Sequence, residues 1–478
     1  MAEPTYVQLD PQPLERYRDV MDDEFDRIRG IADFAAGHFE GRTVWHVNST
    51  RLGGGVAEML RSFLPYANDS GVDTRWVVLS ERPEFFSITK RLHNKLHGHP
   101  GDGGSLGPAE QEAYEEILED SAHHLTDLIK PNDVVFLHDP QTAGLIPAVK
   151  AAGGITIWRC HIGLEVANEH VDEAVRFLVP YVEQADGFVF SRGAYLWPQL
   201  PADRAHLMAP AIDAFSPKNQ ELDDETVSAI LGVIGLSDDE PAEPPHFIRS
   251  DGSDGVVEHP SQVTQIEKLP EDATLIAQIS RWDVLKDHEG LLECFAEYLS
   301  DTDAHLALIG PSSEGVADDP EGPAVQARIM EAWQALPDDL RRRVHIVALA
   351  MDDFDENGAM VNAIQRRADI IVQKSLVEGF GLTVSEAMWK SKPVVASAAG
   401  GIKDQVIDGE TGILIEDPTD LEAFAVALRK LVEDPDLANR MGAASRERVA
   451  RHFLAASRVA DYVALIGLVE TTSDANRP

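Results

Sequence analysis

Short, nearly continuous apolar segments recur along the first half of the chain, and each is followed by apolar residues at helical spacing. Continuous apolar segments are typical of parallel strands buried on both faces, whereas apolar residues three or four positions apart indicate amphipathic helices. An amphipathic helix is predicted first, over 13–39. The strands predicted after it lie at 43–48, 75–79, 133–138, 155–159 and 187–190.

The same alternation resumes in the second half of the chain and runs into a long helical region at 420–469. Between the two series lies the segment 237–272, which is rich in Pro, Ser, Gly and acidic residues and lacks a helical period. We interpret it as a surface insertion or a long connection that could contain a short hairpin. The strands predicted after it lie at 274–280, 305–310, 344–347, 369–372 and 393–396.

Two series of strand–helix units predict an α/β protein with two doubly wound, Rossmann-like domains. We place the N-terminal domain, with its helical extension, at 1–215, and the C-terminal domain, which contains the insertion 237–272, at 216–452. We expect 453–478 to form a helix that returns to the N-terminal domain. Because ligands of such sheets bind beyond the carboxyl ends of the strands, the sequence predicts a functional cleft between the two domains.

The charge of the chain limits the partners that it can have. Its 478 residues include 41 Lys and Arg against 82 Asp and Glu, so the net charge is −41. No excess of cations is available to displace counterions, which excludes nucleic acid and anionic membrane surfaces as partners. Salt screens such self-repulsion, so a halophilic source is one hypothesis, and an acidic, arginine-preferring bacterial proteome is the other.

The start of the chain and its two cysteines favour an intracellular protein. The first ten residues lack the basic and apolar regions of a secretory signal, and no apolar run approaches the ~20 residues of a transmembrane helix. Cys160 and Cys294 form neither a CxxC pair nor a disulfide framework. We therefore expect a cytoplasmic protein with buried thiols.

The most informative motif follows the predicted strand 369–372. It spans 375–387 and reads Ser-Leu-Val-Glu-Gly-Phe-Gly-Leu-Thr-Val-Ser-Glu-Ala. Its glycines let the backbone approach a ligand closely, and the helix that follows offers free N–H groups to an anion. The carboxylates of Glu378 and Glu386 are acceptors suited to sugar and ribose hydroxyls. An ordinary strand–turn–helix in which Glu386 caps the helix is the alternative.

This motif, with seven residues between Glu378 and Glu386, resembles the signature of retaining glycosyltransferases with two Rossmann-like domains, the GT-B class. A second match, Ser-Arg-Trp-Asp-Val-Leu-Lys-Asp at 280–287, directly follows a predicted strand. In that superfamily an Arg and a Lys at the spacing of Arg281 and Lys286 hold the diphosphate of the nucleotide sugar. Two fixed cations can stabilise a diphosphate leaving group in place of a metal. The resemblance thus implies neither a catalytic metal nor a tightly bound cofactor.

A glycine triplet at 53–55 lies between the first predicted strand and a helix. Such a turn can cradle a phosphate, although an ordinary glycine-rich turn has the same pattern. The surrounding sequence resembles the trehalose glycosyltransferring synthases, over 42–217 and 274–433, and the insertion 237–272 departs from the shorter connection expected of them. The stretches that carry this resemblance in the first domain lie at 44–60, 83–94, 137–141 and 158–163.

The resemblance implies that a glucosyl group passes from a nucleoside diphosphate glucose to glucose, with retention, to form α,α-trehalose. Arg281 and Lys286 would stabilise the departing diphosphate while a donor phosphate oxygen deprotonates the acceptor. His161 and Glu378 would orient the donor sugar. The other implied contacts are Glu84 and Asp139 to the acceptor, Glu386 to the ribose, and the backbone of Gly54, Gly55, Gly379, Phe380, Gly381 and Leu382 to the donor.

His161 and Asp139 each follow a predicted strand, which favours a place in the cleft. The alternatives are a core histidine for His161 and a turn or cap residue for Asp139. His46 and His138 lie within predicted strands, so we expect them to be structural.

Other functions fit the same motifs. A retaining trehalose phosphorylase would also need the Arg–Lys pair, although a ribose contact at Glu386 favours a nucleotide. A sugar phosphate acceptor would require a cationic site, for which Arg51, Lys90 and Arg159 could converge. A nucleotide-sugar epimerase or non-catalytic sensor is a different class. A homodimer through the apolar face near 462–469 is a further expectation, unless that face belongs to the returning helix.

Overall fold

The computed structural model describes residues 5–21, 23–51, 55–79, 83–312 and 322–475, with 83–86 and 473–475 described by their backbone alone. The chain divides into two compact units. Unit 1 comprises Met1–Ala211 and Leu454–Pro478, and unit 2 comprises Ile212–Phe453. In the described part of the chain, no helix combines the length and apolar content that crossing a bilayer requires.

Unit 1 is built on a seven-stranded sheet of order β1-β3-β2-β4-β5-β6-β7. β1 pairs antiparallel with β3, and the other pairs are parallel. Every residue of β2, β4 and β5 is buried, as their continuous apolar sequences require. The strands are β1 (Thr5–Val7), β2 (Val44–Asn48), β3 (Thr74–Val78), β4 (Val134–His138), β5 (Ile155–Cys160), β6 (Gly187–Phe190) and β7 (Ala205–Leu207).

Helices follow most strands of unit 1 and cover its sheet. The predicted helix over 13–39 is a 3₁₀ turn, Leu14–Tyr17, followed by two helices. The side chain of Asn168 begins α7 by accepting the N–H groups of His170 and Val171. The helices are α1 (Arg18–Met21), α2 (Asp23–His38), α3 (Gly55–Asp69), α4 (Pro83–Leu96), α5 (Pro108–Leu128), α6 (Ile146–Ala151) and α7 (Glu169–Val182).

Unit 2 contains a second seven-stranded sheet, of order β10-β13-β12-β11-β14-β15-β16, and a separate hairpin, β8-β9. β10 pairs antiparallel with β13, and the other pairs of the large sheet are parallel. The strands are β8 (His246–Ile248), β9 (Asp254–Val256), β10 (Gln262–Thr264), β11 (Leu275–Ile279), β12 (His305–Pro311), β13 (Val344–Leu349), β14 (Ile370–Gln373), β15 (Val394–Ser397) and β16 (Gly412–Ile415).

The helices after Ala211 complete unit 2, except for the last, which packs on α2 and α3 of unit 1. In that last helix Tyr462 stacks on Phe63, with ring centroids 4.4 Å apart. The apolar face near 462–469 is therefore buried within unit 1 and is not free for a dimer contact. The helices are α8 (Asp224–Ile234), α9 (His288–Tyr298), α10 (Gly322–Ala335), α11 (Asp338–Arg341), α12 (Phe354–Arg367), α13 (Leu382–Trp389), α14 (Ile402–Gln405), α15 (Leu421–Glu433), α16 (Pro435–His452) and α17 (Ala455–Ala475).

The segment 237–272 contains the hairpin β8-β9, and it also supplies the edge strand β10, so the interpretation as a surface insertion was incomplete. It is fixed to the start of α12. Arg249 forms an ion pair of 2.7 Å with Asp353. The Glu356 carboxylate accepts the backbone N–H groups of Glu258 and His259 at 2.6 and 2.7 Å. The segment is thus part of the architecture of unit 2.

Candidate active site

Two loops of unit 2 carry the motifs at 280–287 and 375–387, and the sheet brings them together. They follow β11 and β14, which are neighbouring parallel strands, so both loops leave the same edge of the sheet. The side-chain amide of Gln278 bridges them: its Nε2 donates to the carbonyl of Lys286 at 2.7 Å, and its Oε1 accepts the N–H of Lys374 at 2.9 Å. The loops therefore form one fixed platform.

Lys286 and Glu378 meet on this platform. The Lys286 Nζ lies 2.6 Å from Glu378 Oε2, and their side chains are only 14% and 10% exposed. The same carboxylate oxygen accepts the Ser375 hydroxyl at 3.0 Å. A cation and a carboxylate predicted to serve different parts of one donor are thus in direct contact.

Arg281 lies on the same loop as Lys286 but is open to solvent, with its side chain 64% exposed. Asp283 lies 3.2 Å from its guanidinium. Asp283 also accepts the N–H of Leu285 at 2.8 Å and so begins the 3₁₀ turn Val284–Lys286. One carboxylate therefore orients Arg281 and starts the turn that presents Lys286.

A buried ion pair between Lys374 and Asp287 stabilises the end of the turn Val284–Lys286. Lys374 Nζ bonds to Asp287 Oδ2, and the Lys374 side chain is almost fully buried. Asp287 has a left-handed backbone with φ of 47° and caps α9 by accepting the N–H of Gly290. The pair fixes the residue next to Lys286 in an unusual conformation. Sequence reasoning missed Lys374, which precedes the motif by one residue.

Glycines in and next to the loop at 375–387 are required by the conformation and close packing of the backbone. Gly381 has φ of 81° and precedes the first residue of α13, Leu382. Gly400 packs against this loop and has φ of 50°. A Cβ added to Gly400 would lie 1.7 Å from the Glu378 carbonyl oxygen. The N–H of Gly401 donates to the Gly379 carbonyl at 2.9 Å. Sequence reasoning missed Gly400 and Gly401, although two glycines shortly after the predicted strand 393–396 were an available signal.

Glu386 lies one turn into α13, as predicted, but is only 2% exposed. Its carboxylate is 3.9 Å from Lys218 Nζ. Lys390 lies one turn further on, where its Nζ donates to Asn219 Oδ1 at 2.9 Å and to the Glu386 carbonyl at 3.1 Å. Burial holds the pKa of Lys390 well below its ordinary value, although the Glu386 charge opposes this. The environment of Glu386 is thus cationic and largely enclosed.

In unit 1, three histidines form a hydrogen-bonded chain from the middle of β2, through the last residue of β4, to the residue after β5. His46 Nδ1 lies 3.1 Å from His138 Nε2, and His138 Nδ1 lies 3.0 Å from His161 Nε2. We expected His46 and His138 to be structural because they lie within strands, and both are buried. Their contact with His161 was not foreseen.

Asp139 connects the ends of β4 and β5. Its Oδ1 accepts the N–H of His161 at 2.7 Å, and its backbone has φ of 62°. Burial raises the pKa of Asp139 to about 7, outweighing the bond from His161 and the charge of Arg159, which act to lower it. Asp139 therefore makes the kind of local bond expected of a turn residue, at the place predicted for an acceptor contact.

The suggested convergence of Arg51, Lys90 and Arg159 on a phosphate is wrong for Arg159. Its guanidinium bonds to the Tyr462 hydroxyl and to the Met208 carbonyl, and its side chain is buried inside unit 1.

Some predicted residues cannot be placed. Gly54 lies outside the described residues, as does the side chain of Glu84, whereas Gly55 is the exposed first residue of α3. Within the described ranges, no group of three or more His, Cys, Asp or Glu side chains is arranged to hold a metal ion.

Comparisons with known proteins agree with this architecture. The trehalose synthase N-terminal domain family matches residues 46–197, and the glycosyl transferases group 1 family matches 261–448. The chain is 32% identical to trehalose synthase from Pyrococcus horikoshii over 457 residues, 95% of both chains. It is 27% identical to trehalose phosphorylase from Pleurotus pulmonarius over 427 residues, 84% of this chain and 54% of the relative.

A solved structure shows the same fold at low sequence identity. The α,α-trehalose-phosphate synthase (UDP-forming) from Burkholderia xenovorans, in complex with glucose-6-phosphate, has a TM-score of 0.64 and 14% identity, covering 89% of this chain and 99% of that one. The predicted α/β fold with two Rossmann-like units is thereby confirmed. With these matches and with its glycosyltransferase motifs assembled on one edge of a parallel sheet, the chain belongs to the trehalose synthase family of GT-B glycosyltransferases.

Proposed function

We propose that this enzyme transfers glucose from a nucleoside diphosphate glucose to glucose, with retention, and forms α,α-trehalose. The observation that carries the proposal is the 2.6 Å contact between Lys286 and Glu378. It supports the proposal because a cation suited to a diphosphate leaving group and a carboxylate suited to a sugar hydroxyl lie side by side, on two loops fixed to each other. Membership of the trehalose synthase family supports the choice of product.

In the proposed reaction, the bond between the anomeric carbon of the donor glucose and its diphosphate oxygen breaks. The anomeric hydroxyl oxygen of the acceptor bonds to that carbon on the same face, and its proton passes to the departing phosphate oxygen. The products are trehalose and the nucleoside diphosphate. Arg281 and Lys286 neutralise the charge that develops on the diphosphate, and one preorganised group of this kind contributes ~3 kcal/mol to transition-state stabilisation.

The contact between Lys286 and Glu378 suggests an order of events in the site. When the diphosphate engages the Lys286 ammonium, Glu378 loses its closest cation but keeps the hydroxyl of Ser375 and the N–H of Gly379. Its carboxylate then has lone pairs available for a donor sugar hydroxyl. Nucleotide binding would thereby prepare the sugar contact.

The remaining roles complete the proposal. His161 contacts the donor sugar, Glu84 and Asp139 contact the acceptor, and Glu386 accepts a ribose hydroxyl. The backbone at Gly54 and Gly55, and from Gly379 to Leu382, contacts the donor. In this proposal neither a metal nor a tightly bound cofactor is required, because Arg281 and Lys286 would neutralise the diphosphate.

The test is a matrix of donors and acceptors followed by release of the nucleoside diphosphate. ADP-, UDP- and GDP-glucose are each offered with glucose, with glucose 6-phosphate, or with no acceptor. We expect release with at least one donor that depends on glucose. Release without any acceptor dependence, or only with glucose 6-phosphate, would contradict the proposal. Glucose 1-phosphate formed from trehalose and phosphate alone would identify a phosphorylase instead.

A further inference from the structure

The histidine chain of unit 1 has a geometry that couples its three rings. The centroids of His46 and His138 are 5.4 Å apart, and those of His138 and His161 are 5.3 Å apart, with interplanar angles of 23° and 19°. Each contact joins Nδ1 of one ring to Nε2 of the next. The chain runs from the buried strand β2 to His161, which is partly exposed beyond the end of β5.

The surroundings keep these rings neutral. Burial, together with the nearby positive charge of Arg159, lowers the pKa of His46 to about 3. Burial also holds the pKa of His138 and His161 well below the ordinary value. A neutral imidazole has one nitrogen that donates a hydrogen bond and one that accepts.

Neutral rings joined in this way share their tautomeric state. If Nδ1 of His161 carries the proton, its Nε2 must accept, so His138 donates from Nδ1 and accepts at Nε2, and His46 donates from Nδ1. If Nε2 of His161 carries the proton, it donates to Nδ1 of His138, and His138 and His46 then carry their protons on Nε2 as well. The two states therefore determine whether His161 presents a donor or an acceptor at its outer nitrogen, Nδ1.

The inner end of the chain selects between these states. The His46 ring stacks on Phe136 with centroids 4.8 Å apart and lies 5.5 Å from the ring of Tyr462. Among the described residues, His46 forms no hydrogen bond besides that to His138. His46 is 1% exposed, so a proton on its Nε2 would be a donor with no acceptor among the described residues, which costs ~1–3 kcal/mol. With the proton on Nδ1, Nε2 is an unfilled acceptor instead, which protein interiors tolerate more readily than an unpaired N–H, so this state is favoured.

We propose that His46 and His138 are positioning residues that hold His161 in the tautomer protonated at Nδ1, so that His161 donates a hydrogen bond to a sugar hydroxyl oxygen. The sugar contact rests on the proposed function, whereas the tautomer does not. Asp139 supports the same role because it fixes the backbone N–H of His161.

Nitrogen-15 NMR of the full chain, with labelled histidine, tests the tautomer without reference to activity. The His161 signals are assigned from their loss in His161→Gln. We expect the native protein to show a protonated Nδ1 and a bare Nε2 at His161. In His138→Phe no N–H group of residue 138 donates to Nε2 of His161, so the tautomer of His161 protonated at Nε2 should become more populated. A native His161 protonated at Nε2 or on both nitrogens would overturn the proposal, as would unchanged populations in His138→Phe.

Kinetics then test the consequence for catalysis. We expect kcat to fall about tenfold in His138→Phe, the scale of one hydrogen bond in a buried network, with KM for the donor changed less than about twofold. His138→Asn should recover most of kcat, since its amide nitrogen can replace Nδ1 as the donor to His161.

A matched control is available in unit 2. His305 and His345 form a second stacked pair, with Nδ1 of one 3.0 Å from Nε2 of the other, and His305 is the first residue of β12, at the opposite end of its strand from the ligand-binding edge. His305→Phe removes a comparable bond and should leave kcat unchanged. Equal losses of kcat in His138→Phe and His305→Phe would refute a positioning role. If the native enzyme forms no trehalose but the predicted tautomer is found, the proposed function fails and the assignment of the tautomer stands.

Discussion

Substitution of Gly400 by Ala tests whether the position of Glu378 is held by the backbone behind it. The added Cβ would lie 1.7 Å from the Glu378 carbonyl oxygen and 2.9 Å from the Gly379 carbonyl oxygen. Side-chain carbons essentially never approach closer than 3.0 Å, so the Glu378 oxygen and the new Cβ must separate by at least 3.0 − 1.7 = 1.3 Å. Both contacts are with backbone, so no side-chain rotation can relieve them.

This displacement occurs at the residue that contacts Lys286. A misplacement of ~1 Å in an active site can cost about a hundredfold in rate, so we expect kcat/KM for trehalose formation to fall by about that factor in Gly400→Ala. Stability should fall as well, because Ala at a positive φ is strained by ~1 kcal/mol. The loss of activity has to be separated from that second effect.

Gly409→Ala is the control that separates a loss of activity from a loss of stability. Gly409 also has a positive φ, of 75°, but a Cβ there meets nothing within 4 Å. It should therefore lose comparable backbone stability and keep its activity. The assay compares kcat/KM for nucleoside diphosphate release and urea-unfolding free energies for the two variants. If Gly400→Ala stays within about threefold of Gly409→Ala in kcat/KM, the platform does not position Glu378 as described.

Three further predictions follow from charges. Lys286→Ala should lose ~3 kcal/mol of transition-state stabilisation, measured from kcat/KM; unchanged turnover would remove Lys286 from the site. The pKa of Asp139 is raised from 3.8 to about 7, so between about pH 4 and 7 Asp139 keeps its proton in the folded state and loses it in the unfolded state. The free energy of unfolding should therefore fall as pH rises through this range, by up to ~1.4 kcal/mol per pH unit relative to Asp139→Asn. Equal slopes for both proteins in urea titrations would contradict this. Finally, self-repulsion at a net charge of −41 should make the melting temperature rise between about 0.1 M and about 2 M KCl, and a flat response would exclude the halophilic hypothesis.

The strands of both sheets were predictable where burial on two faces leaves a continuous apolar signature, as in β4 or β14. The missed strands β1, β7, β10 and β16 have only three or four residues each. Short edge strands such as β10, whose sequence is Gln-Val-Thr, need to be apolar on one face at most. Their patterns therefore resemble those of loops.

The sequence motifs nominate individual residues for the candidate site, but they do not predict the contacts between those residues. The motifs at 280–287 and 375–387 meet because β14 lies next to β11, although two other strands separate them along the chain. Strand order likewise brings together His46, His138 and His161, because β2, β4 and β5 are neighbours. Such an order depends on how helices pack across the sheet, which no local pattern records.

The most direct test of the central claim is a carbon-13 NMR time course with a nucleoside diphosphate glucose labelled at the anomeric carbon of glucose, together with unlabelled glucose. We expect α,α-trehalose with the label in one ring only and with the α configuration at the labelled carbon, accompanied by an equal amount of the nucleoside diphosphate. A β-configured product, or label that reaches glucose 1-phosphate but not trehalose, would contradict it.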